Sequence, residues 1–157
     1  MVFGIGDKVI HWTYGLGDIV HIEEKPIHGH PTNCYVVRTS DLTIWIPINE
    51  LQGSLRVPTP PDEFVKLFDI LTSPGEKLPE DRMLRKDQLI AQMKDGQLSS
   101  ICRVMRDLNY FKLTNKMNDQ EKSILERATN SLLTEWVYSL GVSNTQAQQA
   151  LAKLLGA

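Results

Sequence analysis

The sequence predicts an α+β protein: a small β barrel followed by an all-helical domain of about five helices. Three observations lead there. Short β-branched runs at period two fill the first third of the chain, with turn formers between them. From about residue 57 onward the apolar spacing becomes helical and does not change back. The segment Val57-Pro58-Thr59-Pro60-Pro61 lies at the change of period and stiffens the chain there. Strands first and helices afterwards argue for segregated layers, with expected domains at 1–57 and 58–157.

Lys8-Val9-Ile10-His11-Trp12 opens the β part, and Tyr14-Gly15-Leu16-Gly17 supplies glycines for a tight turn or bulge. Asp18-Ile19-Val20-His21-Ile22 reads as the second strand. Pro26 to Asn33 is rich in turn formers and reads as a hairpin loop. Cys34 to Thr39 and Leu42 to Pro47 read as the third and fourth strands, with a short fifth near Leu55-Arg56-Val57. Strands this short and this closely spaced suit a barrel of the Tudor or SH3 kind.

In the second part, Thr59, Pro60 and Asp62 give a helix start, and Phe64, Leu67, Phe68 and Leu71 follow at helical intervals. Pro79-Glu80-Asp81 opens a second helix, with Met83, Ile90 and Met93 as candidate inward residues, stopped by Asp95-Gly96. Leu98, Ile101, Met105, Leu108 and Phe111 define a third. Asn118 with Glu121 caps a long fourth helix that uses Ile124, Leu125, Ala128, Leu132, Trp136 and Leu140 and ends at Gly141. Ser143 starts a fifth that runs to about Leu155.

The 157 residues suffice for one domain or two small ones, each with a core. Apolar runs are far shorter than the roughly 20 residues that span a bilayer, and the first ten residues resemble no signal peptide. Cys34 and Cys102 fall in different halves without CxxC spacing, which suits a reducing cytoplasm. Net charge is −2, yet residues 82–116 hold eight Lys/Arg against three Asp/Glu. Such a block favours a polyanion at close range; a solvated helix face is the plainer alternative.

Catalytic chemistry finds no support. The four histidines, at 11, 21, 28 and 30, include His28-Gly29-His30 in a turn-rich segment, but no third ligand follows at a metal-site interval. The glycine pairs lack a dinucleotide-loop context, and no serine sits in a nucleophile elbow. Glu23-Glu24 are strand neighbours, so their carboxylates point to opposite faces. No enzyme activity, metal, cofactor or small-molecule substrate is expected.

Two groups stand out as binding candidates. If Leu42, Ile44 and Ile46 face the core, alternation turns Thr43, Trp45 and Pro47 outward. An outward Trp on a strand is an interface anchor unless loops or the helical domain cover it, and Lys25 and Arg38 could rim the patch. Arg82, Arg85 and Lys86 form the second group, at i, i+3 and i+4 on one helix face near its N-terminus. Cations there oppose the helix dipole by about 0.3–1 kcal/mol each, which an anionic partner would offset.

These residues resemble a known family. FGIGDKVIHWTYGLGDIVHIEEK, YVV and DLTIWIP look like the RNA-polymerase-interacting domain shared by CarD proteins and the transcription-repair coupling factor. LPEDR, MKDGQLSSICRVMRDL and NDQEKSILERATNSLLTEW resemble the CarD helical part, so the likeness covers nearly the whole chain. It implies a cytoplasmic bacterial transcription regulator that binds the RNA polymerase β subunit, often by pairing strand edges. It also implies promoter DNA contact at the upstream edge of the bubble, which stabilises the open promoter complex. On this likeness Lys25, Arg38, Trp45 and Pro47 are expected at the polymerase, and Arg82, Arg85 and Lys86 at DNA. The alternative is a protein-interaction adaptor without productive DNA contact. The sequence departs from the family at two points. Arg82 occupies the position where many members carry a Trp wedge for the minor groove, and Trp45 one where a basic residue is common.

Overall fold

The computed structural model describes residues 3–50 and 55–156, the side chain of Glu50 excepted; Met1 and Ala157, the ends of the expected domains, lie outside them. Two compact units result, Met1–Pro58 and Thr59–Ala157.

The first unit is an antiparallel sheet of β1 (Lys8–His11), β2 (Gly15–Ile27), β3 (His30–Arg38), β4 (Thr43–Pro47) and β5 (Leu55–Arg56), in the order β4-β3-β2-β1-β5. Val9, Ile19, Tyr35, Val37, Ile46 and Leu55 form its core. The Tyr35 hydroxyl donates to the Phe3 carbonyl at 2.7 Å and accepts from the Phe3 amide, so a buried phenol fastens the chain start to the sheet. A bulge at Val20 shifts the β2–β3 register between Ile19 and His21, adding twist.

Residues 26–33 do not form the long loop that their composition suggests. Strands β2 and β3 continue to Ile27 and His30, leaving a two-residue turn at His28-Gly29. Both turn residues have positive φ, 50° and 79°, as a hairpin turn matched to strand twist requires. Pro26 and Pro31 face each other one step from the closing pair. Hydrogen bonding alternates along an antiparallel ladder, so neither missing N–H falls between the two strands.

The helical unit contains α1 (Phe64–Thr72), α2 (Arg82–Lys94), α3 (Leu98–Phe111), α4 (Asp119–Leu140) and α5 (Asn144–Leu154). A 3-10 turn, Pro61–Glu63, leads into α1. Thr59 does not cap this start; its amide donates to the buried Glu135 carboxylate at 2.7 Å. Asp81 caps α2, and Asn118–Glu121 and Ser143–Gln146 form capping boxes on α4 and α5. The core is built around α3, whose Ile101, Cys102, Val104, Met105 and Leu108 are all buried, while Phe64, Phe68 and Trp136 make an aromatic cluster. No helix among the described residues is long and apolar enough to cross a membrane.

Candidate functional site

In the β unit, register decides what shares a face. Trp45 lies opposite Val36, Pro47 opposite Cys34, and Arg38 opposite Thr43 on β4 and Asp18 on β2. Directly opposed residues project to the same side, so Trp45, Pro47 and Arg38 share the outer face with His21, Glu23 and Lys25. Trp45 is 42% exposed. The Lys25 ammonium sits 4.8 Å from the centroid of its ring, and the indole N–H donates to Glu23 Oε2 at 3.0 Å. The ring is thus held on both sides, a cation against its π system and a carboxylate on its polar edge.

The expected outward turn of Thr43 and Trp45 is what the structure has, with Ile46 buried and Ile44 packed against the core. Leu42 departs from that alternation: it precedes β4 and is exposed, because the turn closed by Thr39 and the Leu42 carbonyl has not yet become a strand. On the outer face the interior strand β3 is covered, since Cys34 and Val36 are buried there, whereas Trp45 on the terminal strand β4 stays open. Glu23 is a contributor that sequence reasoning passed over. Its signal was its i, i+2 spacing to Lys25, which places both on one face of a strand.

The three candidate cations of α2, Arg82, Arg85 and Lys86, do not act together. Arg85 lies on the stripe Arg85, Leu89, Met93, whose two apolar members are buried. Its side chain is only 11% exposed, with Nε donating to Glu121 Oε2. Nη1 donates to the carbonyls of Pro79 and Glu80, each at 3.1 Å, and the guanidinium lies 4.8 Å from the Phe111 ring. Glu121 meanwhile accepts from the Asn118 amide, so one carboxylate closes the α4 cap and binds Arg85. The sequence assignment of Arg85 to a DNA-facing surface meets this geometry: i, i+3, i+4 spacing groups residues within an arc, but cannot tell which end of the arc faces the core. Arg82 is exposed and Lys86 half-buried. Both line a cavity of about 240 Å³ with Met83, Asn118, Gln120, Glu121 and Ile124. Met83, an expected inward residue, is instead exposed, and Leu89 takes the core position.

The basic block thins in the same way at Arg106, whose Nε donates to Asp107 Oδ1 at 2.9 Å and whose Nη1 donates to Ser73 Oγ at 2.9 Å. Asp107, one of the three acids within residues 82–116, is buried and also accepts from the Glu76 amide. Cys34 and Cys102 are both buried, and neither forms a disulfide. Burial, then the nearby Glu135 carboxylate, pushes the Cys102 thiol up to about 12 against the opposing pull of Arg103, so it is not a nucleophile at neutral pH.

Comparison with known proteins gives concordant matches over the two units. Residues 3–57 match the CarD-like/TRCF RID domain, and residues 66–152 match the family described as CarD, C-terminal domain. The chain is also 28% identical over 151 residues, 92% of its length and 97% of the relative's, to "Putative transcription factor YdeB" of Bacillus subtilis (strain 168).

Proposed function

This chain belongs to the CarD family of transcription factors, and we propose that it regulates transcription by binding the RNA polymerase β subunit and promoter DNA together. The β unit binds polymerase through the outer face and edge of β4, the terminal strand among the described residues, and the helical unit touches DNA at the upstream edge of the bubble. Matches to both domains, in order and over nearly the whole chain, carry this reading.

Trp45 supplies an apolar anchor at the polymerase surface, with Lys25, Arg38 and Pro47 around it. An exposed Trp held by a cation and a carboxylate is pre-organised, so little side-chain freedom is lost on docking. Arg82 and Lys86 are the DNA-contacting cations; Arg85 supports them by fixing α2 against α4. A protein that prefers melted over closed promoter DNA shifts that equilibrium by its differential affinity, about tenfold for each 1.4 kcal/mol.

Binding measurements separate the two halves. Trp45→Ala is expected to weaken binding to the isolated β-subunit lobe by about 2 kcal/mol or more, the range of an interface hot spot. Arg82→Ala is expected to leave that binding unchanged and to lower the salt dependence of DNA affinity by about one unit of slope. Lobe binding by Trp45→Ala equal to wild type refutes the anchor. DNA affinity that does not vary with salt would favour an adaptor that touches polymerase alone.

A further inference from the structure

The helical unit holds an opening that its core does not fill. A cavity of about 890 Å³ lies among α1, α3, α4 and α5, within the range of small-ligand sites. Buried Leu71, Leu133 and Leu151 give it apolar walls from α1, α4 and α5, which the exposed Tyr110 and Leu113 extend. Among the described residues, the charged side chains in its lining are Arg106 and Lys112, both cationic. Arg106 is fixed in place. Its side chain is 11% exposed, and Asp107 Oδ1 holds Nε while Ser73 Oγ holds Nη1, each at 2.9 Å. The nearest carboxylate to Nη2 is Glu76 at 4.0 Å, beyond hydrogen-bond reach and on a side chain that is 81% exposed. Beside them, Gly75 packs directly on Tyr110: a Cβ there would lie 2.3 Å from the Tyr110 Cβ, so the loop after α1 is seated closely on α3.

Leucine walls alone would take any apolar body; a positioned guanidinium beside them selects one that carries an acceptor. Asp107 offsets part of the Arg106 charge, yet Nη2 still carries hydrogens to donate, and an anion in the cavity meets no carboxylate in its lining. Lys112, exposed on a flexible stem, adds a second cation. A bare phosphate would leave the leucines wet, and a plain hydrocarbon would leave the guanidinium unused. We propose that this cavity binds a small amphipathic anion, a carboxylate on an alkyl or aryl body, with the carboxylate on Arg106 Nη2 and the body against the leucines. Charge-assisted guanidinium–carboxylate bonds supply the selectivity, and burial of the apolar body supplies most of the affinity. The cavity lies wholly within the helical unit, so its occupancy is independent of polymerase and DNA binding.

Titration of the full chain with decanoate, followed by amide NMR, tests this, with 1-decanol as the uncharged counterpart. Decanoate should give saturable shifts at the lining residues, and 1-decanol should bind at least about fivefold more weakly, because it makes no charge-assisted bond. Ala152→Trp, which puts a large ring at an exposed position of the lining, should weaken decanoate binding at least about tenfold by filling the volume. Arg106→Gln should abolish the preference for decanoate over 1-decanol. That change also leaves buried Asp107 without its cation, so Lys112→Gln, at an exposed position, serves as the variant that keeps the fold and should reduce the preference in part. Absence of saturable shifts with decanoate overturns the proposal, as does decanoate binding that Ala152→Trp leaves unchanged. Equal affinity for decanoate and 1-decanol, or a preference that survives both charge changes, overturns the choice of an anion. Shifts at the lining residues with polymerase but not with decanoate would assign the cavity to protein docking and overturn it too.

Discussion

Arg82 and Arg85 lie three positions apart on one helix, yet burial gives them opposite tasks. Arg85 is an internal strut: removing its side chain leaves the Glu121 carboxylate buried without its cation while the α4 cap still depends on it. Arg85→Ala is therefore expected to lower stability by about 3–5 kcal/mol, measured as a urea midpoint, whereas Arg82→Ala should change it by less than about 0.5 kcal/mol. His11 is a second residue with a built-in consequence. It is buried at the end of β1, and its Nδ1 accepts from the amides of Thr13 and Tyr14, at 3.0 and 3.3 Å. Only the neutral ring can accept there, and burial lowers its pKa from the ordinary 6.5. Stability from this group is thus complete above pH 6.5 and is lost as pH falls from there through the lowered folded-state value. The urea midpoint should fall over that window, and less so in His11→Asn, whose side-chain oxygen can accept from the same turn without titrating. A slope identical in both proteins contradicts this account of the turn.

At the scale of elements, helix boundaries were legible because their signals are local. Asn118 with Glu121, Asp95-Gly96 and Gly141 each mark an end through chemistry within four residues, and the structure has those ends. The hairpin between β2 and β3 was legible but its extent was not, since PIHGHPTN has the composition of a loop while tertiary pairing extends both strands through it. His28, at φ 50°, carries the strain of that choice. His28→Asn, which creates the Asn-Gly pair favoured in such turns, should raise stability by about 0.5–1 kcal/mol in denaturant unfolding. A neutral or destabilising result would mean that the imidazole makes up for its backbone. The candidate sites divide the same way. Trp45 could be found because period two fixes the face of a strand side chain. Arg85 and Asp107 could not, because a charge in sequence carries no sign of a partner 31 to 36 positions away.

For the whole molecule, two cores with separate membership make two units, one presenting an anchored Trp on a terminal strand and the other a cationic, apolar helix tip. Both features fit the proposed binding of polymerase and DNA together. That coupling is the central claim, and the lifetime of open promoter complexes with the cognate polymerase tests it most directly. Wild-type protein should lengthen the lifetime, and Trp45→Ala and Arg82→Ala should each shorten it again, the first by losing the polymerase and the second by losing DNA. A lifetime that wild type leaves unchanged while it occupies the polymerase would contradict the account and leave an adaptor without productive DNA contact.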